Sequence, residues 1–180
     1  MPNSSPRGGG GSVVAGRGRV KLAAGGTVRA EVVLPLGVAE AWERLVDWES
    51  QPMWMRDADR VEVLTPHRQG IGVVIGVRTR VLHVPLFTDR LEVVAWDPPR
   101  RLRLAHRGLV HGFGEWRLAP VARGHRRGTR FTWEERPSLA VPVLGAAVLA
   151  VYRPIMRSLM RRSLEDLRRM VASGEPPRRA

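Results

Sequence analysis

The chain has 180 residues, enough for one domain with tails, and its apolar content of 43% can fill a core. It carries 30 Lys and Arg against 17 Asp and Glu, a net charge of +13, yet residues 27–152 amount to only +4 and the rest sits in the flanking segments. No zinc-finger spacing, RNA-recognition aromatic motif or helix-turn-helix signal accompanies the charge, so no specific nucleic-acid recognition is expected, and the absence of Cys excludes disulfides and thiolate chemistry.

Residues 1–26 read as a disordered basic Gly/Arg-rich arm, with four consecutive glycines at 8–11 and few apolar side chains to offset their chain entropy. Thr27 to Leu34 alternates as a strand, with Val28, Ala30, Val32 and Leu34 on one face, and Pro35 ends it. Val38 to Asp47 has helical spacing in Val38, Ala41, Trp42, Leu45 and Val46, and Trp48 to Trp54 reads as a second short helix or turn. Strand-sized alternating pieces follow at 58–65, 71–82, 87–96, 101–107, 112–119 and 129–136. Asp97-Pro98-Pro99 makes a turn, and the loop at Gly124–Gly128 joins the last two strands. Gly70, Gly72, Gly112 and Gly114 lack the strand-to-helix position that cradles phosphate and read as strand kinks or bulges. Val143 to Val171 is one long amphipathic helix that Pro154 should kink or split, and 173–180 is a flexible tail.

The longest apolar run, Leu139 to Tyr152, is interrupted by Pro142 and falls short of the roughly 20 residues a bilayer span needs. The first 26 residues have no apolar leader, so a cytoplasmic location is expected.

Strand, two short helices, six strands and a long helix is an order that resembles the START-like or SRPBCC superfamily, which includes polyketide cyclase/dehydrase-like proteins. The likeness rests on DRLEVVAWDPPRRLRLAHRG at 89–108, HGFGEWRLAP at 111–120, GTRFTWEE at 128–135 and YRPIMRSLMRRSLEDL at 152–167. It implies a START-like ligand-binding domain over 27–172. The implied fold is α+β and of helix-grip type, a curved antiparallel sheet of about seven strands wrapped around the C-terminal helix. It also implies a cavity for lipids or other apolar ligands.

If the more apolar face of each strand looks at the helix, the cavity lining comprises Val73, Ile75, Val77, Leu91, Leu104, His106, Trp116, Phe131, Trp133 and Glu135, with Tyr152 from the helix. Val61, Val63, Val93, Leu102 and Leu118 share that face, as do the polar residues Thr79 and Asp89. Glu135 and His106 are the candidate catalytic pair: desolvation raises a carboxyl pKa, and a neighbouring imidazole can share its proton. The other reading gives Glu135 to water or an Arg partner, makes His106 a satisfied structural histidine, and pairs Asp89 with the adjacent Arg90. Trp116 and Trp133 can stack on a flat ligand or belong to the core, whereas Trp42 reads as core.

His67, His83, His106, His111 and His125 show no metal-ligand spacing, and no Ser has a nucleophile-elbow context. No metal and no cofactor are expected. The function expected is binding or carriage of a hydrophobic small molecule (lipid, quinone or polyketide-like), with a cyclase- or dehydratase-like enzyme as the alternative. Arg153, Arg157, Arg161, Arg162, Arg168 and Arg169 on the last helix are either a solvated face or a weak contact with an anionic membrane surface. Nothing in the sequence fixes the oligomeric state.

Overall fold

The computed structural model describes residues 26–81, 84–108, 111–123, 126–138 and 142–174. The arm through residue 25, the tail from 175, and His83 and His125 lie outside the described residues. Seven antiparallel strands form one sheet in the order β1-β7-β6-β5-β4-β3-β2. They are β1 (Val28–Leu34), β2 (Ala58–Val63), β3 (Val74–Val81), β4 (Val84–Asp97), β5 (Arg101–Arg107), β6 (His111–Arg123) and β7 (Arg126–Ser138). After β1 come α1 (Val38–Leu45) and a short 3-10 helix at Trp48–Met53, and α2 (Pro142–Ala172) closes the chain. The sheet is curled and α2 packs across it, the α+β helix-grip arrangement that the sequence implied.

The first strand pairs with the last, Val28 opposite Glu135 and Leu34 opposite Thr129, so the sheet joins the two ends of the strand sequence. Alternation sends Val28, Ala30, Leu34, Ile75, Val93, Leu102, Leu104, Trp116, Leu118 and Phe131 inward, where they pack with Met160, Leu164 and Leu167 of α2. All six tryptophans join this core as a continuous chain of ring contacts. It runs from Trp42 through Trp96 (centroids 5.1 Å apart), Trp48, Trp116 and Trp54 to Trp133. The outer face takes the arginines: Arg101, Arg103 and Arg117 surround Glu115, Arg29 and Arg136 approach Glu134, and Arg107 pairs with Glu92.

Three local expectations need correction. The helix α2 runs unbroken through Pro154, which is exposed. The ring sits on the solvent side, where water can meet the carbonyl it leaves unpaired, and α2's packing on β1 and β7 holds the rest. Gly70 and Gly72 (φ 97° and 87°) form a turn ahead of β3 rather than a kink inside it, which leaves Ile71 exposed. The loop between β6 and β7 is tighter than 124–128, because Arg123 already pairs with Arg126. The Asp97–Arg100 turn is as expected, with Arg100 N–H donating to Asp97 O at 2.8 Å and a cis Pro98–Pro99 peptide. Among the described residues, no helix is long and apolar enough to cross a membrane.

Candidate functional site

Between the inner face of β3 to β7 and the helix α2, the side chains leave a cavity with about 110 Å³ for the centres of water-sized spheres. One water needs roughly 10–15 Å³ on that measure, so the space holds several waters or a small organic molecule. Its walls are largely apolar: Ile75, Val77, Leu91, Leu104, Trp116 and Trp133 from the sheet, Met156 and Met160 from α2, with Met55, Ala58 and Pro137. Gln51, Asp57, Thr79, Asp89, His106 and Glu135 supply the polar groups.

His106 is held from both sides. Its Nδ1 lies 2.8 Å from Asp89 Oδ2 and its Nε2 lies 3.1 Å from Glu135 Oε2. The Trp133 Nε1–H donates to the other Glu135 oxygen at 2.7 Å, and the Arg90 backbone N–H donates to Asp89 Oδ1 at 3.0 Å. Burial works against a charge on the imidazole. The hydrogen bonds to Asp89 and Glu135, reinforced by their charges, outweigh it and lift the His106 pKa to about 10. At neutral pH His106 is therefore an imidazolium donating both of its N–H groups.

This cluster crosses four strands, and glycines make the crossing possible. Asp89 is on β4, His106 on β5 and Glu135 on β7, so Glu135 must reach over β6. Strands two apart are separated by roughly 10 Å, and a side chain on the inner face of the middle strand would block the path. Those β6 positions are Gly112, opposite His106, and Gly114, opposite both Leu104 and Glu135. A Cβ at Gly114 would stand 2.6 Å from Glu135 Oε1, and one at Gly108 would collide with Asp89 Oδ1. Glycines at 108 and 114 thus clear the floor on which the two carboxyl groups meet the imidazole, whereas a Cβ at Gly112 would collide with the backbone oxygen of Arg136.

Asp57 enters from the connection between the 3-10 helix and β2. Burial pushes its carboxyl upward, its own backbone N–H pulls it back, and the charge of Glu135 adds to the rise. Tyr152 is raised by burial and then by the charge of Asp57. The connection is tied to α2 one residue earlier: Arg56 Nε donates to Asp166 Oδ2 at 2.6 Å, and the Arg56 backbone N–H donates to the buried Ser163 Oγ at 3.0 Å. Met55 and Asp57 are therefore fixed against the helix that roofs the cavity.

Residues 25–172 match the family model described as polyketide cyclase/dehydrase and lipid transport. The chain belongs to that family. Solved structures agree on the fold. TTHA0849 of Thermus thermophilus is 19% identical, with 84% of this chain and 100% of that one covered at a TM-score of 0.67. A START superfamily protein of Mycobacterium smegmatis is 12% identical, with 82% and 95% covered at a TM-score of 0.59. No curated protein matches the chain.

In this family member, Ile75, Val77, Leu91, Leu104, His106, Trp116, Trp133 and Glu135 fall together on the cavity wall, with Thr79 and Asp89 beside them. Val73 and Phe131 do not: both are fully buried in the core, and Tyr152 lies near Asp57 without lining the space. The expected pairing of Asp89 with the Arg90 side chain is replaced by the buried bond to His106. Glu135 likewise has His106 and Trp133 as partners rather than an Arg.

Sequence reasoning missed Gln51, Met55, Asp57, Ala58, Pro137, Met156 and Met160. Two of them carried a signal, because Met156 and Met160 stand four apart on the apolar stripe of α2. Arg157, Arg161, Arg162 and Arg168 on that helix are exposed, Arg169 pairs with Asp166, and Arg153 is half-buried beside Gly26. Among the described residues no cluster could hold a metal ion, and His67 and His111 are exposed.

Proposed function

We propose that the protein binds and carries an apolar small molecule, of lipid, quinone or polyketide-like kind, in the cavity between α2 and the sheet. The observation that carries this reading is the lining. Two tryptophans, three methionines, four branched aliphatic side chains, Ala58 and Pro137 surround a space large enough for a ligand, with six polar side chains among them. Methionines suit such a role because flexible thioether chains re-pack around ligands of different outline. The family's description, which includes lipid transport, supports the same reading.

A second reading, acid–base turnover of the cyclase or dehydratase type, has one specific observation behind it. His106 and Glu135 meet at 3.1 Å on the cavity wall. The protonated imidazole cannot accept a proton at neutral pH, so in that reading His106 is the acid and a carboxylate is the base. Both N–H groups are already committed to Asp89 and Glu135, which favours carriage over turnover. Approach to an anionic membrane during loading would use the exposed Arg157, Arg161, Arg162 and Arg168.

Tryptophan fluorescence tests the binding reading, because Trp116 and Trp133 line the space. Titration with short lipids, quinones and polycyclic phenols is expected to give a saturable change for at least one class. Ala58→Leu, which adds bulk to the wall, is expected to weaken it about tenfold. No saturable change with any of the three classes contradicts the proposal.

A further inference from the structure

The polar groups of the cavity are one-sided in a way that restricts what can occupy it. Three acids, Asp57, Asp89 and Glu135, face one base, His106. The chain holds 30 Lys and Arg, yet among the described residues none lines the cavity. Residues 109–110, between β5 and β6, and residues 139–151, which follow β7 and open α2, contain no charged residue at all. The arginines are instead placed on the outer face of the sheet and along α2.

The charged and indole donors on the wall are also already used, which leaves the neutral Thr79 hydroxyl and the second N–H of the Gln51 amide. Both His106 N–H groups go to carboxyl oxygens, the Trp133 N–H goes to Glu135, and Gln51 Nε2 donates to Leu45 O at 3.0 Å. The indole N–H of Trp54 is buried without a partner among the described residues, but Trp54 does not line the cavity. Acceptors are left over, because each carboxylate oxygen has more than one lone pair, and the half-buried Asp57 carboxyl adds further acceptor sites beyond the bond from its own backbone N–H.

Resting on the proposal that this cavity binds an apolar small molecule, we infer that its ligand carries a hydrogen-bond donor at its polar end, an amine or a hydroxyl, and that fatty acids and other apolar anions are rejected. A carboxylate tail entering here would meet three acids and no cation that is not already paired, and like charges in a poorly hydrated space repel strongly. An ammonium or hydroxyl group would instead donate to Asp57 or to a spare lone pair of Glu135.

The test is a matched set, octylamine, octanol and octanoate, titrated into the full chain at pH 7 and read by tryptophan fluorescence and calorimetry. The overall charge of +13 favours octanoate everywhere on the surface, so a preference for the amine has to come from the cavity. Octylamine is expected to bind at least about tenfold more tightly than octanoate, with octanol between them. In Asp57→Asn the amine-to-acid ratio is expected to fall several-fold. The wild-type ranking stands as a test even where that variant folds poorly. Octanoate binding as tightly as octylamine, or more tightly, overturns the inference and leaves the binding proposal intact. Saturable binding by none of the three, together with none by larger apolar ligands, overturns the binding proposal and this inference with it.

Discussion

His106→Ala is expected to lose about 3–5 kcal/mol of unfolding free energy at pH 7, measured by urea denaturation, because it removes the cation shared by two buried carboxyl groups. The wild-type protein should show the same group in its pH profile. The His106 pKa is about 10 in the folded protein against 6.5 in a free chain, so the folded state binds this proton more tightly. Its contribution is fully present below pH 6.5, declines as pH rises, and is gone above about pH 10, on the order of a few kcal/mol in all. His106→Ala should lack that decline. A wild-type stability that stays flat from pH 7 to 10 would mean that the imidazole is neutral and the description of the cluster is wrong.

The second large effect separates the fold from the site at two neighbouring glycines. Gly112 has φ 125°, and a Cβ there would collide with the backbone oxygen of Arg136 on β7. No rotamer relieves a backbone clash, so Gly112→Ala is expected to cost about 2–4 kcal/mol by prying β6 from β7. At Gly114 the obstructed atom is the far end of the Glu135 side chain, which can swing away. Gly114→Ala is therefore expected to cost only about 1 kcal/mol but to break the contact between Glu135 and His106. Its signature is a lower His106 titration midpoint, read from the imidazole proton and nitrogen shifts. Equal stability losses in the two variants would contradict this division of roles, and an unmoved His106 midpoint in Gly114→Ala would show that Gly114 does not serve the crossing.

The order and type of the elements were legible because the strands alternate cleanly and the final stripe repeats at helical spacing. Period-two alternation correctly put Thr79, Asp89, His106 and Glu135 on the inner face. The same period cannot say how deep an inward residue lies. Val73 and Phe131 share the face of Ile75 and Trp133, but they sit where the core is packed solid, so they were assigned to the cavity on parity alone. Asp57 and Met55 were invisible for a different reason. They lie in an irregular connection, and only the tertiary bonds of Arg56 to Asp166 and Ser163 bring them beneath α2. The glycines of HRG and HGFGE held the most overlooked signal. Along its strand Gly114 looks like a kink; across the sheet it is the gap through which Glu135 reaches His106, and Gly108 clears Asp89.

Carbon-13 methyl spectra of the methionines test the central claim, an apolar cavity that takes a ligand, most directly. The chain has six methionines. Met55, Met156 and Met160 line the cavity, whereas Met53 and Met170 do not and serve as internal controls. Addition of octanol is predicted to shift the first three methyl signals in a saturable way with one common affinity, and to leave Met53 and Met170 in place. Shifts confined to Met53 or Met170, or none at any methionine, would contradict the account.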